Sequence, residues 1–249
     1  MLPEDQTTPN PPFKEQWFTT TPWGIVLAAR QGNSLEAADA LETLCRSYWY
    51  PLYAYVRRRG YNAEAAQDLV QEFFARLLAK NYLQSVNAER GKFRSFLLAS
   101  LNHFLANEFD RSHALKRGAG QTIISLDDED AEERYRLEPA DGLTPAMIFE
   151  RRWALTVLED ALRKLRTEFV TSGREPQFER LKGFLEGEVG RGDYDVAAKD
   201  LKVSRGAVAM AVQRLRQRYK DLVRAEVADT VADPAEVEPE LRHLMAVLT

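Results

Sequence analysis

An all-α protein of two helical domains joined by an acidic linker is the fold this sequence predicts, on three observations. Between its prolines and glycines, apolar residues recur at three- and four-residue spacings and do not alternate. Residues suited to capping stand where each apolar series restarts. Charge is segregated: Tyr194 to Lys220 carries Lys199, Lys202, Arg205, Arg214, Arg216, Arg218 and Lys220 against Asp195 and Asp200, whereas Ser125 to Gly142 carries eight acids against Arg134 and Arg136.

The elements follow in order. Residues 1–21 are polar and proline-rich and are expected to be a disordered extension. Thr21-Pro22 pairs a capping hydroxyl with a proline at the first helical position. Ser34 caps a helix running to Arg57, Arg58 and Arg59, with Pro51 expected to bend or restart it and Gly60 to end it. Asn62 caps the next helix, to about Lys80, and Gly91 precedes another, from Lys92 to about Lys116. These make a first bundle over 22–117.

Residues 118–143 combine acids, glycines and little periodicity, and read as an extended or partly ordered linker. Thr144-Pro145 then opens a long helix to about Val170, a shorter one follows Pro176, and a close helix pair spans Asp193 to about Glu226, giving a second domain over 144–232. Asp233-Pro234 opens a last helix, 233–249, with Val237, Leu241, Leu244 and Leu248 on one stripe. That stripe has to bury, by default against its own domain, otherwise against the first domain as a lock or against a partner.

Length and composition bound the function. With 249 residues and 45% hydrophobic content, real cores are affordable. The single cysteine, Cys45, excludes an internal disulfide framework and reads as a packing residue. The N-terminus lacks the pattern of a secretory signal, and no apolar run approaches the roughly 18 residues of a membrane span, so no membrane insertion and a cytoplasmic location are expected. A formal net charge of −4 argues against nucleic acid when averaged over the chain. The segregation of charge reverses that inference for the basic segment.

That segment, YDVAAKDLKVSRGAVAMAVQRLRQRYK, has the pattern of a helix-turn-helix. Ala197, Ala198 and Leu201 form one apolar face, Lys202-Val203 a short turn with Val203 pointing inward, and Ser204 the N-cap of the next helix. On that helix Val208, Val212, Leu215 and Tyr219 form the core stripe, and Arg205, Gln213, Arg214, Arg216 and Arg218 occupy other faces. Such a helix enters the major groove with its N-terminal half while cations neutralise phosphates. Arg and Gln are suited to guanine and adenine edges. The alternative from this segment alone is a helical hairpin with a solvated arginine face.

In NAEAAQDLVQEFFARLLAK, Leu69, Val70, Phe73, Phe74, Leu77 and Leu78 make a wide buried stripe, opposed by Asp68, Gln71 and Glu72. The helix that follows, in GKFRSFLLASLNHFLANEFDRSHALKRG, is basic and aromatic. Together with YAYVRRRGYNAEAAQDLVQEFFARLL, these motifs resemble domain two of bacterial RNA polymerase sigma factors of the extracytoplasmic-function (ECF) group, and the helix-turn-helix resembles their domain four. The resemblance covers Ala28 to about Thr230, in the family's order. The LANEFDRSHALKRG run, the FERRWALTVLEDAL helix and the C-terminal tail are similar to a planctomycete-like subgroup, some of whose members are associated with protein kinases.

The resemblance implies docking of Asp68, Gln71 and Glu72, with Arg76, on the polymerase clamp helices. It implies capture of the melted minus-ten strand by the helix from Lys92 to Lys116, through Arg94, His103, Asn107, Arg111, Lys116 and Arg117 and through aromatics such as Phe93, Phe104 and Phe109, at least two of Phe93, Phe96 and Phe104 being core. It implies minus-thirty-five recognition by Ser204, Arg205, Gln213, Arg214, Arg216 and Arg218. His103 and Asn107 stand where the family often has asparagine and aspartate, and Ala209 and Gln213 where it often has lysine and histidine, so promoter sequence does not transfer. Core RNA polymerase and promoter DNA are the expected partners, with an anti-sigma factor or protein kinase as further candidates.

No enzyme is expected. His103, Glu108, Asp110 and His113 are the best metal constellation, but ten residues of helix set the two imidazoles about 15 Å apart, so neither a metal nor another cofactor is expected. The sequence has no glycine-rich phosphate loop, HExxH or nucleophile elbow. The alternative function is a non-sigma helix-turn-helix regulator whose first bundle binds a ligand or partner.

Overall fold

A computed structural model describes residues 35–78, 92–114, 131–138, 142–185, 190, 192–231 and 233–249. Among these the protein is all-α, with no strand. The helices are α1 (Leu35–Arg58), α2 (Ala63–Leu78), α3 (Phe93–Ala114), α4 (Ala131–Arg136), α5 (Pro145–Thr171), α6 (Glu175–Leu181), α7 (Asp193–Leu201), α8 (Arg205–Ala228) and α9 (Val237–Leu248). Short 3-10 turns at Lys182–Leu185 and Pro234–Glu236 extend α6 and precede α9.

Several caps stand where side-chain chemistry requires them. Asn62 Oδ1 accepts from the Ala65 N–H at 2.8 Å, Thr144 Oγ1 from Met147 at 3.2 Å, Ser204 Oγ from Ala207 at 3.2 Å and Asp233 Oδ1 from Ala235 at 2.9 Å. Thr21, Ser34 and Gly91 lie outside the described residues, as does the N-terminal extension. Where a restart was expected at Pro51, α1 runs through it as one helix. Buried Tyr48, Leu52 and Val56 on either side hold the helix against the loss of one N–H.

The chain divides into two compact units, one formed by Met1–Arg152 with Asp229–Glu236, the other by Trp153–Ala228 with Val237–Thr249. The division falls inside α5, whose first residues, buried Ile148 and Phe149 among them, belong to the first unit. The first unit is also discontinuous: the Phe93 N–H, orphaned at the start of α3, donates to the Thr230 carbonyl at 3.3 Å.

In the first unit α1, α2 and α3 share an aromatic core of Tyr48, Trp49, Tyr53, Phe73, Phe74, Phe93 and Phe104, all buried. Phe73 meets Phe104 at 5.8 Å and Tyr48 meets Phe93 edge-on at 5.4 Å. In the second unit Trp153, Val157, Ala161 and Leu165 of α5, Phe178 of α6 and Val208, Val212 and Leu215 of α8 are buried. Helix α9 belongs to this unit: Val237 and Leu244 are buried, Leu241 and Leu248 half-buried, and Arg224 of α8 pairs with Glu238.

The stretch expected to be an extended or partly ordered linker contains α4, which is seated on α1. Glu132 accepts Arg57 Nε at 3.0 Å and Nη2 at 2.9 Å as a two-pronged pair, and the Tyr53 hydroxyl at 2.7 Å. Glu138, which unlike Glu132 is buried, accepts the Tyr50 hydroxyl at 3.1 Å and pairs with Arg152. Arg134 and Arg57 lie over the Tyr50 and Tyr135 rings at 4.1 and 4.8 Å. Periodicity is silent about such a segment because its attachment is made by charged and aromatic tips, not by an apolar stripe. The rest of the linker lies outside the described residues.

This attachment is pH-dependent in a defined direction. The hydrogen bond from Arg57 holds the Glu132 carboxyl below its ordinary range. A depressed folded pKa contributes stability that is fully present above the ordinary carboxylate pKa of about 4.3 and lost as pH falls through the depressed value. At pH 7, Glu132→Gln is therefore expected to speed hydrogen exchange of the 131–138 amides, with the difference from the parent shrinking below pH 4. A pH-independent difference would contradict the ion-pair attachment.

Candidate functional site

Three surfaces carry the residues that the sequence singles out. On α2, Asp68 is exposed, Gln71 half-buried and Glu72 exposed. Glu72 pairs with Arg76, which also reaches Glu108 of α3 at 2.8 Å and lies over the Phe104 ring at 4.9 Å. Arg76 thus ties α2 to α3 within the unit. Asp68 and the outer edge of Gln71 remain as the open part of this face.

On α3 the assigned residues separate into two groups. Arg94 is 3% exposed and its Nε donates to Glu150 of α5 at 2.6 Å, so it is enclosed within the unit and does not stand on the exposed side of α3. Phe93 and Phe104 are core; Phe96 is half-buried. In contrast Ser95, Ala99, His103, Ala106 and Asn107 are all exposed and fall on one side of the helix, with Phe109 59% exposed beyond them. Asn102 is engaged instead, its Oδ1 accepting the Tyr55 hydroxyl at 2.7 Å and Arg59 Nη1 at 2.8 Å. Arg111 lies in α3, its side chain outside the described residues, and Lys116 and Arg117 lie beyond them.

In the second unit, α7 and α8 form the helix-turn-helix around a left-handed residue, Lys202, at φ 54°. The Val203 N–H donates to the Ala198 carbonyl at 3.0 Å and the Lys202 N–H to Lys199 at 3.2 Å, the paired bonds of a Schellman cap. The end of α5 uses the same device with Gly173 at φ +69°, where the absence of a Cβ makes that geometry free of clash. This turn corrects one expectation. Val203 is 46% exposed and not inward-pointing, because the left-handed step aims its N–H, and not its side chain, back at α7.

The arginines of α8 also divide. Arg216 donates to the Phe184 carbonyl from Nε at 3.0 Å and Nη2 at 2.8 Å, and Arg218 grips Glu168 of α5 through Nε at 2.9 Å. That hydrogen bond holds the Glu168 carboxyl below its ordinary range. These two cations fasten α8 to its own unit. Arg205, 60% exposed in its side chain and 3.8 Å from Asp195, Gln213 and Arg214 remain on the open surface, with Ser204 exposed at the cap. Met210, which no charge or polarity criterion selects, stands among them 55% exposed. Its signal was its place opposite the Val208, Val212, Leu215 stripe.

Among the described residues, no group of three or more histidine, cysteine or acidic side chains is placed to hold a metal ion, and no helix is long and apolar enough to cross a membrane. Comparison with protein families matches residues 26–226 to the family described as ECF sigma factor. No curated protein and no solved structure matches the chain. A family match that runs from α1, through the acidic segment, to nearly the end of α8 covers both units in one order, and the chain therefore belongs to the ECF sigma factor family.

Proposed function

We propose that the two units divide the work of a sigma factor as their surfaces suggest. The protein directs promoter-specific transcription through core RNA polymerase and promoter DNA, the role of its family. In this reading the Asp68 face of α2, with Gln71, Glu72 and Arg76, docks on polymerase. The exposed side of α3, with His103, Asn107 and Phe109 and extending to Arg111, Lys116 and Arg117, holds the opened minus-ten strand, where aromatic stacking and cations suit unpaired bases. Helix α8 reads duplex minus-thirty-five DNA from Ser204, Arg205, Gln213 and Arg214.

The observation that carries this reading is the one family match across both units, and it disfavours a non-sigma regulator. Binding energy placed on an opened promoter shifts the population toward that state without bond chemistry, so no catalytic residue and no cofactor are assigned. A cytoplasmic site of action follows from such partners. The LANEFDRSHALKRG run and the FERRWALTVLEDAL helix support the planctomycete-like subgroup, and with it an anti-sigma factor or a protein kinase as further partners. Domain two over 22–117 and domain four over 144–232 are the functional halves in this reading.

The test is salt dependence. In holoenzyme bound to its own selected promoter, Arg214→Ala is expected to lower the slope of log affinity against log salt by about 1, the signature of one lost phosphate contact. Arg218→Ala, which removes the partner of Glu168, is expected to leave the slope unchanged while loosening α8 against α5. Equal slopes for parent and Arg214→Ala would remove Arg214 from the DNA surface. A holoenzyme that makes no transcript from any promoter library would overturn the sigma assignment of function.

A further inference from the structure

The direction opposite α8's buried stripe is neutral. At about 100° per residue, Val208, Val212, Leu215 and Tyr219 point to the core, and the opposite pole carries Gly206, Met210, Gln213 and Gln217. Arg214 and Arg218 lie on one flank of that pole, Arg205 and Arg216 on the other. All four pole residues are exposed. Gln217 is engaged in a hydrogen bond to Asp221 at 2.9 Å, and it lies in the half of the helix farther from the turn.

Early in α8 the residue at the pole is a glycine, and small side chains stand toward both flanks. A Cβ at Gly206 would meet only the Ser204 hydroxyl, 4.0 Å away, and Ala207 and Ala209 are exposed. Met210 is therefore the first long side chain at the pole, apolar and 55% exposed, between cationic flanks. Arg214 on one flank and Arg205 on the other suit the phosphate walls of a groove, Arg216 and Arg218 being held within the unit, and the pole between them suits its floor. The apolar feature that the major-groove floor offers is the C5-methyl of thymine. A thioether, unbranched and polarizable, adapts to such a contact.

We propose that Met210 is a specificity-determining residue that reads a thymine methyl in the upstream promoter element, with Gly206 and Ala209 allowing the close approach of α8. The assignment rests on α8 being the duplex-reading helix. It adds a contact to the assigned set of Arg205, Gln213 and Arg214, and it moves base reading toward the neutral pole.

The experiment removes the methyl from the DNA and the thioether from the protein in turn. Holoenzyme containing the full chain selects an upstream element from a randomised promoter library. Each thymine of that element is then replaced by uracil, and binding is measured for the parent and for Met210→Ala. At one thymine, uracil is expected to weaken the parent by about fourfold, the loss of one buried methyl group at ~0.8 kcal/mol with 1.4 kcal/mol per tenfold. Met210→Ala is expected to be indifferent to the same change. Since Met210 is exposed, the thermal melting of the variant should match the parent's, which separates lost reading from lost folding.

A selected element without thymine, or a uracil effect equally large in Met210→Ala, would overturn the assignment of Met210. A Met210→Ala holoenzyme that assembles poorly, with unaltered uracil responses, would overturn it in favour of a protein contact. If the parent holoenzyme transcribes but selects no upstream element, the duplex-reading role of α8 itself fails.

Discussion

Arg94→Ala is expected to destabilise the first unit by about 3 kcal/mol, at the lower end of the range for breaking a buried ion pair. The guanidinium is nearly sealed from solvent, with 4% of its side chain exposed, and its Nε sits 2.6 Å from Glu150, whose own side chain is 21% exposed. Deleting Arg94 leaves a carboxylate that recovers only part of its hydration, and opens a cavity beneath the first turn of α3. The cost falls on stability because both partners belong to the first unit. Urea unfolding of the full chain should show a lowered midpoint for that unit, and Glu150→Gln combined with Arg94→Met should recover most of the loss, since a neutral pair of similar volume needs no charge compensation. A variant with unchanged stability but a smaller salt slope on promoter DNA would return Arg94 to the nucleic-acid surface.

Asp68→Arg is expected to cost on the order of 2–5 kcal/mol of affinity for core polymerase, 30-fold or more, if the acidic face of α2 docks there. Reversal does more than remove an attraction, because it sets two like charges against each other at a closed interface. Folding should be nearly untouched: Asp68 is exposed, and substitutions at such positions usually fall within about 0.5 kcal/mol. The measurement is the Kd for core enzyme, together with the melting temperature of the free protein. An unchanged Kd would remove Asp68 from the docking surface. Glu72 and Arg76 are poorer probes, since their pairing with each other and the bridge to Glu108 mix attachment with folding.

Much of the helical framework was legible because helices announce themselves locally. Asn62, Thr144, Ser204 and Asp233 cap helices for reasons contained within three residues of each. The Val208, Val212, Leu215 stripe requires nothing beyond the helical repeat. The ECF resemblance likewise rests on motif order along the chain, which the family match then bore out. What was not legible involves partners far away in sequence. Arg94 looks like any cation of a basic aromatic helix until Glu150, fifty-six positions later, is seen beside it. Arg216 and Arg218 look equivalent to Arg214 until the Phe184 carbonyl and Glu168 claim them.

The same distinction explains the acidic segment. Composition marks 118–143 as acidic and aperiodic, yet Glu132 and Glu138 meet Arg57, Tyr53, Tyr50 and Arg152, four groups spread across two other helices. By itself the amino-acid sequence determined the helical class, the caps, the core stripes and the family, because each follows from spacings of a few residues or from motif order. Only the tertiary structure decided which charges are tied up inside the fold and which stand on its surface. A charged side chain is exposed or tied up according to the partners and burial that folding brings to it, as Glu150 does for Arg94 and the Phe184 carbonyl for Arg216, and chain separation carries almost no information about which those are.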